Sequence, residues 1–157
     1  MLIHLGDFMQ QITEKLNAKG LRLPPPPQAL AAYEPALRVL DSIYVSGQLA
    51  FDDFKGVVPS SISPEKAIKA AETAFLNALS LAISLLNPEE KLQLIQVQGF
   101  VQCESDFKEI PQIINGASLL AIELLGDQGK HTRFAVGVAS LPKNSPVEIA
   151  CTFKVYL

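Results

Sequence analysis

Residues 67–86, AIKAAETAFLNALSLAISLL, form the most apolar window of the chain, and any fold of this sequence must find cover for them. Their length would suit a membrane span. Lys69, Glu72 and Asn77 fall inside the window, however, and the core of a bilayer accepts such side chains only at high cost. The window therefore reads as a helix buried in protein. Ser63-Pro64-Glu65 is its start signal, because serine caps a helix N-terminus well and proline suits the first turn. Asn87-Pro88 ends it, near Leu86.

The segments on either side supply the partners. Phe8, Met9, Ile12 and Leu16 continue a helical spacing begun at Leu2 and Leu5, and Gly20 follows as a stop, so residues 4–18 read as an amphipathic helix. LRLPPPPQ then imposes an extended, polyproline-like connector. ALRVLDSIYVSGQLAF reads as two strands joined near Asp41-Ser42. KLQLIQVQGFVQC reads as a strand, Pro111 to Gly126 as a second long helix, and TRFAVGVASL and PVEIACTFKVYL as two last strands joined by PKNSP. The order predicts an α+β layer: a mixed sheet with two helices on one face, plus the extra N-terminal helix within residues 1–20. The length, 157 residues, suits a single domain spanning 1–157.

Strand alternation sorts the side chains. One face carries Ile43, Val45, Leu49, Ile95, Val97, Val101, Phe134, Val136, Val147, Ile149 and Phe153, and is expected under the helices. The other carries Tyr44, Ser46, Gln48, Gln96, Gln98, Gln102, Arg133, Glu148 and Thr152. It is polar but almost uncharged. A freely solvated sheet face usually shows more Lys and Glu, so these amides and hydroxyls suit a partly buried surface such as a subunit interface, with an ordinary wet face as the alternative. Only small residues, Ala135, Gly137 and Ala139, share Arg133's side of its strand, which leaves room for a ligand or for another piece of protein.

Several function classes drop out. The net charge is −3 and the pI about 5.4, with no Lys/Arg cluster, so no nucleic-acid surface is expected. No signal peptide or membrane span is read, and two distant cysteines, Cys103 and Cys151, make no disulfide framework, so a cytoplasmic protein is expected. Both cysteines fall on core-side strand positions and read as packing residues. His4 and His131 lie far apart, and no cysteine or histidine pair has ligand spacing, so no metal is expected. GDQGKH lacks the pattern of a phosphate loop, and no G-x-S-x-G elbow is present.

What remains is Arg133, Glu148, Tyr33, Ser46, Gly47 and Asn115. An arginine fork can grip a carboxylate, or it can form a structural salt bridge, for which Glu148 is the candidate partner. Gly47 can lend its backbone N–H to a ligand or mark a bulge. Asn115 can bind a neighbour or mark a helix irregularity.

These residues are also where the chain resembles a known family. YVSGQL (44–49), KAIKAAETAFLNAL (66–79), INGASLLAIELLG (114–126) and KHTRFAVGVASLPKNSPVEI (130–149) are similar to the reactive intermediate imine deaminase, or YjgF, family, also labelled endoribonuclease L-PSP. The N-terminal helix, LRLPPPP and INGAS look like a longer subgroup. The resemblance implies a chorismate-mutase-like fold and a homotrimer whose sheets form a central barrel, with clefts between subunits. It implies that Arg133 binds the carboxylate of a 2-imino or 2-enamino acid, with Tyr33 and Gly47 at matching positions; Ser46 and Asn115 are further candidates for substrate binding. It implies a water-orienting glutamate in the last strand. Glu148 is one match; the second acidic position of the family pattern is Ala150 here, and a frequent cysteine is Ala135.

The expected function is therefore hydrolysis of reactive imines to keto acids and ammonia, with Arg133 and Glu148 as the catalytic pair. No cofactor is needed, because an imine is already electrophilic. The alternative, favoured by Ala150, is a module that binds a small carboxylate without turning it over. Ribonuclease action rests on the family label alone, and the charge balance argues against it.

Overall fold

The computed structural model describes residues 6–29 and 31–157. Helix α1 spans Asp7–Ala18, strand β1 Ala36–Val39, β2 Ser42–Leu49, helix α2 Pro64–Ile83, β3 Lys91–Gln102, helix α3 Ile110–Leu125, β4 Thr132–Val138 and β5 Val147–Tyr156. The expected beginning of the first helix at residue 4, with Leu2 and Leu5, lies outside the described residues.

The strands form one mixed sheet in the order β1-β2-β5-β3-β4. All neighbours are antiparallel except β3 and β4, which run parallel across the α3 crossover. The α+β reading holds, with α2 and α3 on one face of the sheet. Ser63 caps α2 as its sequence suggests, its side chain accepting the Lys66 N–H at 3.2 Å. The regular helix stops at Ile83 rather than Leu86, because Leu85 and Leu86 donate to Ala82 and Ile83, and these three-residue closures tighten the end. The left-handed Gly20 (φ +70°) follows α1, as a terminating glycine should.

The apolar window is buried as predicted. Ala67, Ala70, Ala71, Ala74, Phe75, Ala78 and Leu79 have no accessible surface. Its alanines let α3 come close. A Cβ at Gly116 would overlap the Ile68 carbonyl and sit 3.2 Å from Ala71 Cβ. On the sheet side, a Cβ at Gly99 would meet Ile114 at 2.7 Å. Helix α1 docks on the far end of α3 through buried Ile12 and Leu16, and Lys15 donates to the Leu124 carbonyl at 3.1 Å.

Three sequence expectations fail, each for a local reason. The face of β4 is reversed. Phe134 and Val136 are 41% and 42% exposed on the side without helices, while Arg133, Ala135 and Gly137 lie under α3. A bulge in β3 between Leu94 and Gln96 leaves Ile95 as the extra residue, 40% exposed, and keeps both Leu94 and Val97 in the core. A bulge in β2 between Val45 and Gln48 turns Gln48 inward, opposite Ile149, and puts Leu49 opposite Glu148. One residue of slip exchanges the two faces of a strand, and alternation alone does not reveal it.

The tight helix contact predicts a stability effect. Gly116→Val should cost about 3 kcal/mol through overpacking, read as a lower denaturant midpoint. Leu119→Ala, on the exposed side of the same helix, should stay within about 0.5 kcal/mol.

Candidate functional site

Arg133 is held by helix α3. Its Nη1 donates to Asn115 Oδ1 at 2.9 Å and to Ser118 Oγ at 3.0 Å, and its Nη2 donates to the Pro111 carbonyl at 3.2 Å. The guanidinium has five N–H donors, so Nε–H and one Nη2–H remain without a partner among the described residues. No carboxylate faces it there. The possible pairing with Glu148 is absent because the two residues lie on opposite faces of the sheet. The small neighbours of Arg133 make room for protein: a Cβ at Gly137 would stand 2.9 Å from Ile110 Cδ1 of α3.

Ser118 and His131 complete the arrangement, and the sequence reading missed both as site residues. The Gly129 carbonyl can only accept, so His131 Nδ1 donates to it. In the neutral ring Nε2 then accepts from Ser118 Oγ at 2.9 Å, and the same oxygen accepts from Arg133. Asn115 and Ser118 are three residues apart on one helix face, which was the signal available in INGAS.

Glu148 projects from β5 on the open face, beside Gly47 of the neighbouring β2. A Cβ at Gly47 would overlap its carboxylate, 2.8 Å from Cδ. Gly47 is therefore both the bulge and a place of close approach. The Glu148 carboxyl is half-buried, has no ion-pair or hydrogen-bond partner among the described residues, and is pushed above its ordinary value by desolvation.

Beside Gly47 lies a cavity of about 510 Å³, within the usual range for small-molecule sites. Tyr33 and Gly47 both line it. Ser46 stands nearby, its hydroxyl donating to the Pro35 carbonyl at 3.0 Å. Arg133 and Asn115 do not line it. Strands β2 and β4 are separated by β5 and β3, so three strand spacings, roughly 14 Å, divide the two groups. The sequence candidates thus fall into two half-sites: Arg133 with Asn115 at one edge, and Tyr33, Ser46, Gly47 and Glu148 toward the other.

The open face of the sheet is more apolar than its glutamines suggest. Phe100 and Phe134 meet edge to face with centroids 5.7 Å apart, and Tyr44, Ile95 and Val136 are also exposed. Gln102 is not part of it. This residue is buried at the strand end, donating to Gly56 O and Asn144 Oδ1 and accepting from Leu141 N. Cys151 is buried, and burial pushes its thiol well up; Cys103 is only half-buried. No helix among the described residues is long and apolar enough to cross a membrane.

Comparison with known proteins agrees with this architecture. The pattern of the endoribonuclease L-PSP family matches residues 25–155, and the chain belongs to that family. A structure of protein Atu1372 from Agrobacterium tumefaciens, described as of unknown function, is 33% identical, with a TM-score of 0.87 and 95% of each chain covered. Protein TCP17 of Trypanosoma cruzi is 28% identical over 151 residues, 88% of this chain and 91% of that protein. The YjgF gene product of Escherichia coli, at 20% identity and a TM-score of 0.56, shares the fold over 82% of this chain and 92% of its own.

The position of Glu148 has a pH consequence. Its native value lies above the ordinary 4.5, so the unfolded chain ionises first as pH rises. The contribution of Glu148 to stability should fall as pH climbs through that raised value. Glu148→Gln cannot ionise and should melt higher than wild type at pH 7, with the gap closing toward pH 4 in paired thermal scans.

Proposed function

We propose that this protein hydrolyses reactive 2-imino or 2-enamino acids to keto acids and ammonia, at sites completed between copies of the chain in a homotrimer. The observation that carries the reading is the half-buried Arg133 guanidinium. It is anchored by three neutral partners, has no carboxylate partner among the described residues, and keeps two donors in reserve. Such a cation is preorganised for a ligand carboxylate. Family membership supports a small-molecule-processing role.

One copy cannot apply both half-sites to one small ligand, given roughly 14 Å and a sheet between them. A second copy resolves this by setting Arg133 of one subunit against Gly47 and Glu148 of the next. The exposed Phe134, Val136, Ile95 and Tyr44 supply the apolar surface such an assembly would bury.

In this mechanism Arg133 holds the carboxylate and so fixes the imine carbon. Glu148, with its raised affinity for a proton, takes one from an attacking water as the new C–O bond forms. That proton passes to the imine nitrogen and gives a carbinolamine. The carbinolamine hydroxyl then yields its own proton, through Glu148, to the same nitrogen as the C–N bond breaks, so ammonia leaves behind a keto acid. Glu148 is favoured over the position of Ala150 by its contact with Gly47; Ala150 pairs with Gln98 further along the sheet.

The second reading is a carboxylate-binding module without turnover, and Ala150 is the observation that favours it. RNA cleavage finds no support in a chain of net charge −3.

The deciding assay generates 2-aminoacrylate with a pyridoxal-phosphate lyase and follows pyruvate. Wild type should accelerate its formation. Arg133→Ala should lower the acceleration by about two orders of magnitude, as expected from about 3 kcal/mol for removing one member of a desolvated charge pair. A silent wild type that gains activity on Ala150→Glu would instead establish the binding module.

A further inference from the structure

The cavity beside Gly47 has a construction of its own. One wall is Pro24–Pro27, four consecutive pyrrolidine rings with φ fixed by chemistry. The run is pinned at its start by Ser80 of α2, whose hydroxyl donates to the Pro24 carbonyl. Pro24 lies just outside the stretch that matches the family pattern. Phe51 adds an apolar surface, and Tyr33 contributes an exposed ring.

Two amides line the same space. Gln48 is 93% buried, since only 7% of it is exposed, and its Nε2 donates to Ser46 O at 3.1 Å. Asn77 Nδ2 donates to Leu49 O at 3.1 Å. Main-chain carbonyls only accept, so these bonds fix both amide orientations. Gln48 Oε1 and Asn77 Oδ1 are left without a protein donor among the described residues. Neither is sealed from solvent, because no fully buried side-chain oxygen among the described residues lacks a partner. The charge pattern narrows the choice further. Asp52 is paired with Lys55 at 3.7 Å, whereas Lys143 has no ion pair among the described residues. Lys143 is held in a left-handed conformation (φ 55°), within a turn tied down through Asn144 to Gln102.

We propose that this cavity receives the ligand's side chain and selects a neutral aromatic ring bearing a hydrogen-bond donor, of the phenol or indole class. Rigid rings of proline and phenylalanine suit a flat, stiff ring that loses little conformational freedom on binding. The unmatched amide oxygens call for an O–H or N–H donor, since a ligand without one leaves them desolvated and unpaired. Unpaired Lys143 disfavours a cationic side chain. This inference rests on the reading that Arg133 of a second copy holds the ligand carboxylate.

The test uses stable 2-keto acids, which are the reaction products, titrated calorimetrically into the full-length protein. 4-Hydroxyphenylpyruvate and indole-3-pyruvate should bind at least tenfold more tightly than pyruvate, with phenylpyruvate between. Asn77→Leu should weaken 4-hydroxyphenylpyruvate and narrow its advantage over phenylpyruvate, without weakening phenylpyruvate, which also reports an intact fold. Pro25→Gly/Pro26→Gly, at two exposed wall positions, should weaken all three aromatic acids and spare pyruvate. Equal binding of all four acids, lost in Arg133→Ala, would overturn this inference and leave the carboxylate reading standing. Aromatic selectivity at undiminished affinity in Arg133→Ala would do the reverse. Binding of none would overturn both.

Discussion

The close seat of helix α3 is the constraint on which the rest of the structure depends. It lies against α2 at Gly116, against β3 at Gly99 and against β4 at Gly137, and at each point a Cβ would meet atoms already in place. That proximity brings Asn115 and Ser118 within hydrogen-bond reach of Arg133. A helix one side chain further away would leave the guanidinium to find its own partners in solvent. The packing of the core and the posture of the site cation are thus one arrangement.

The two bulges play a similar part on the opposite side of the sheet. At β2 the extra residue turns Gln48 toward the helix layer and lets Gly47 approach Glu148. The bulge thereby sets Gly47, which lines the proline-walled cavity, against the half-buried carboxylate of Glu148. At β3 it keeps Leu94 and Val97 both in the core, so the long strand can serve the apolar interior along its whole length. Bulges of this kind commonly re-aim side chains near functional sites.

Much of this was legible in the chain. The Ser63-Pro64 start of α2, the Gly20 stop after α1, the strand pair around Asp41-Ser42 and the α+β order all follow from local signals, and each is found. Arg133, Gly47 and Glu148 stood out because their residue types are rare in their settings. Ser118 and His131 did not, since a serine inside a helix and a histidine before a strand look ordinary until the third partner is in view.

The sequence by itself determined which segments are helices and strands, because periodicity, caps and turn residues act over a few neighbours. It also determined a net charge of −3 and a single arginine on the penultimate strand. Only the tertiary structure decided which way that strand faces. The apolar Phe134 and Val136 pointed to the core by alternation, yet β4 puts Arg133, Ala135 and Gly137 there, because α3 comes too close at Gly137 to admit a side chain and offers Arg133 its hydrogen-bond partners. That choice depends on contacts with residues distant along the chain, and no window of local sequence contains them.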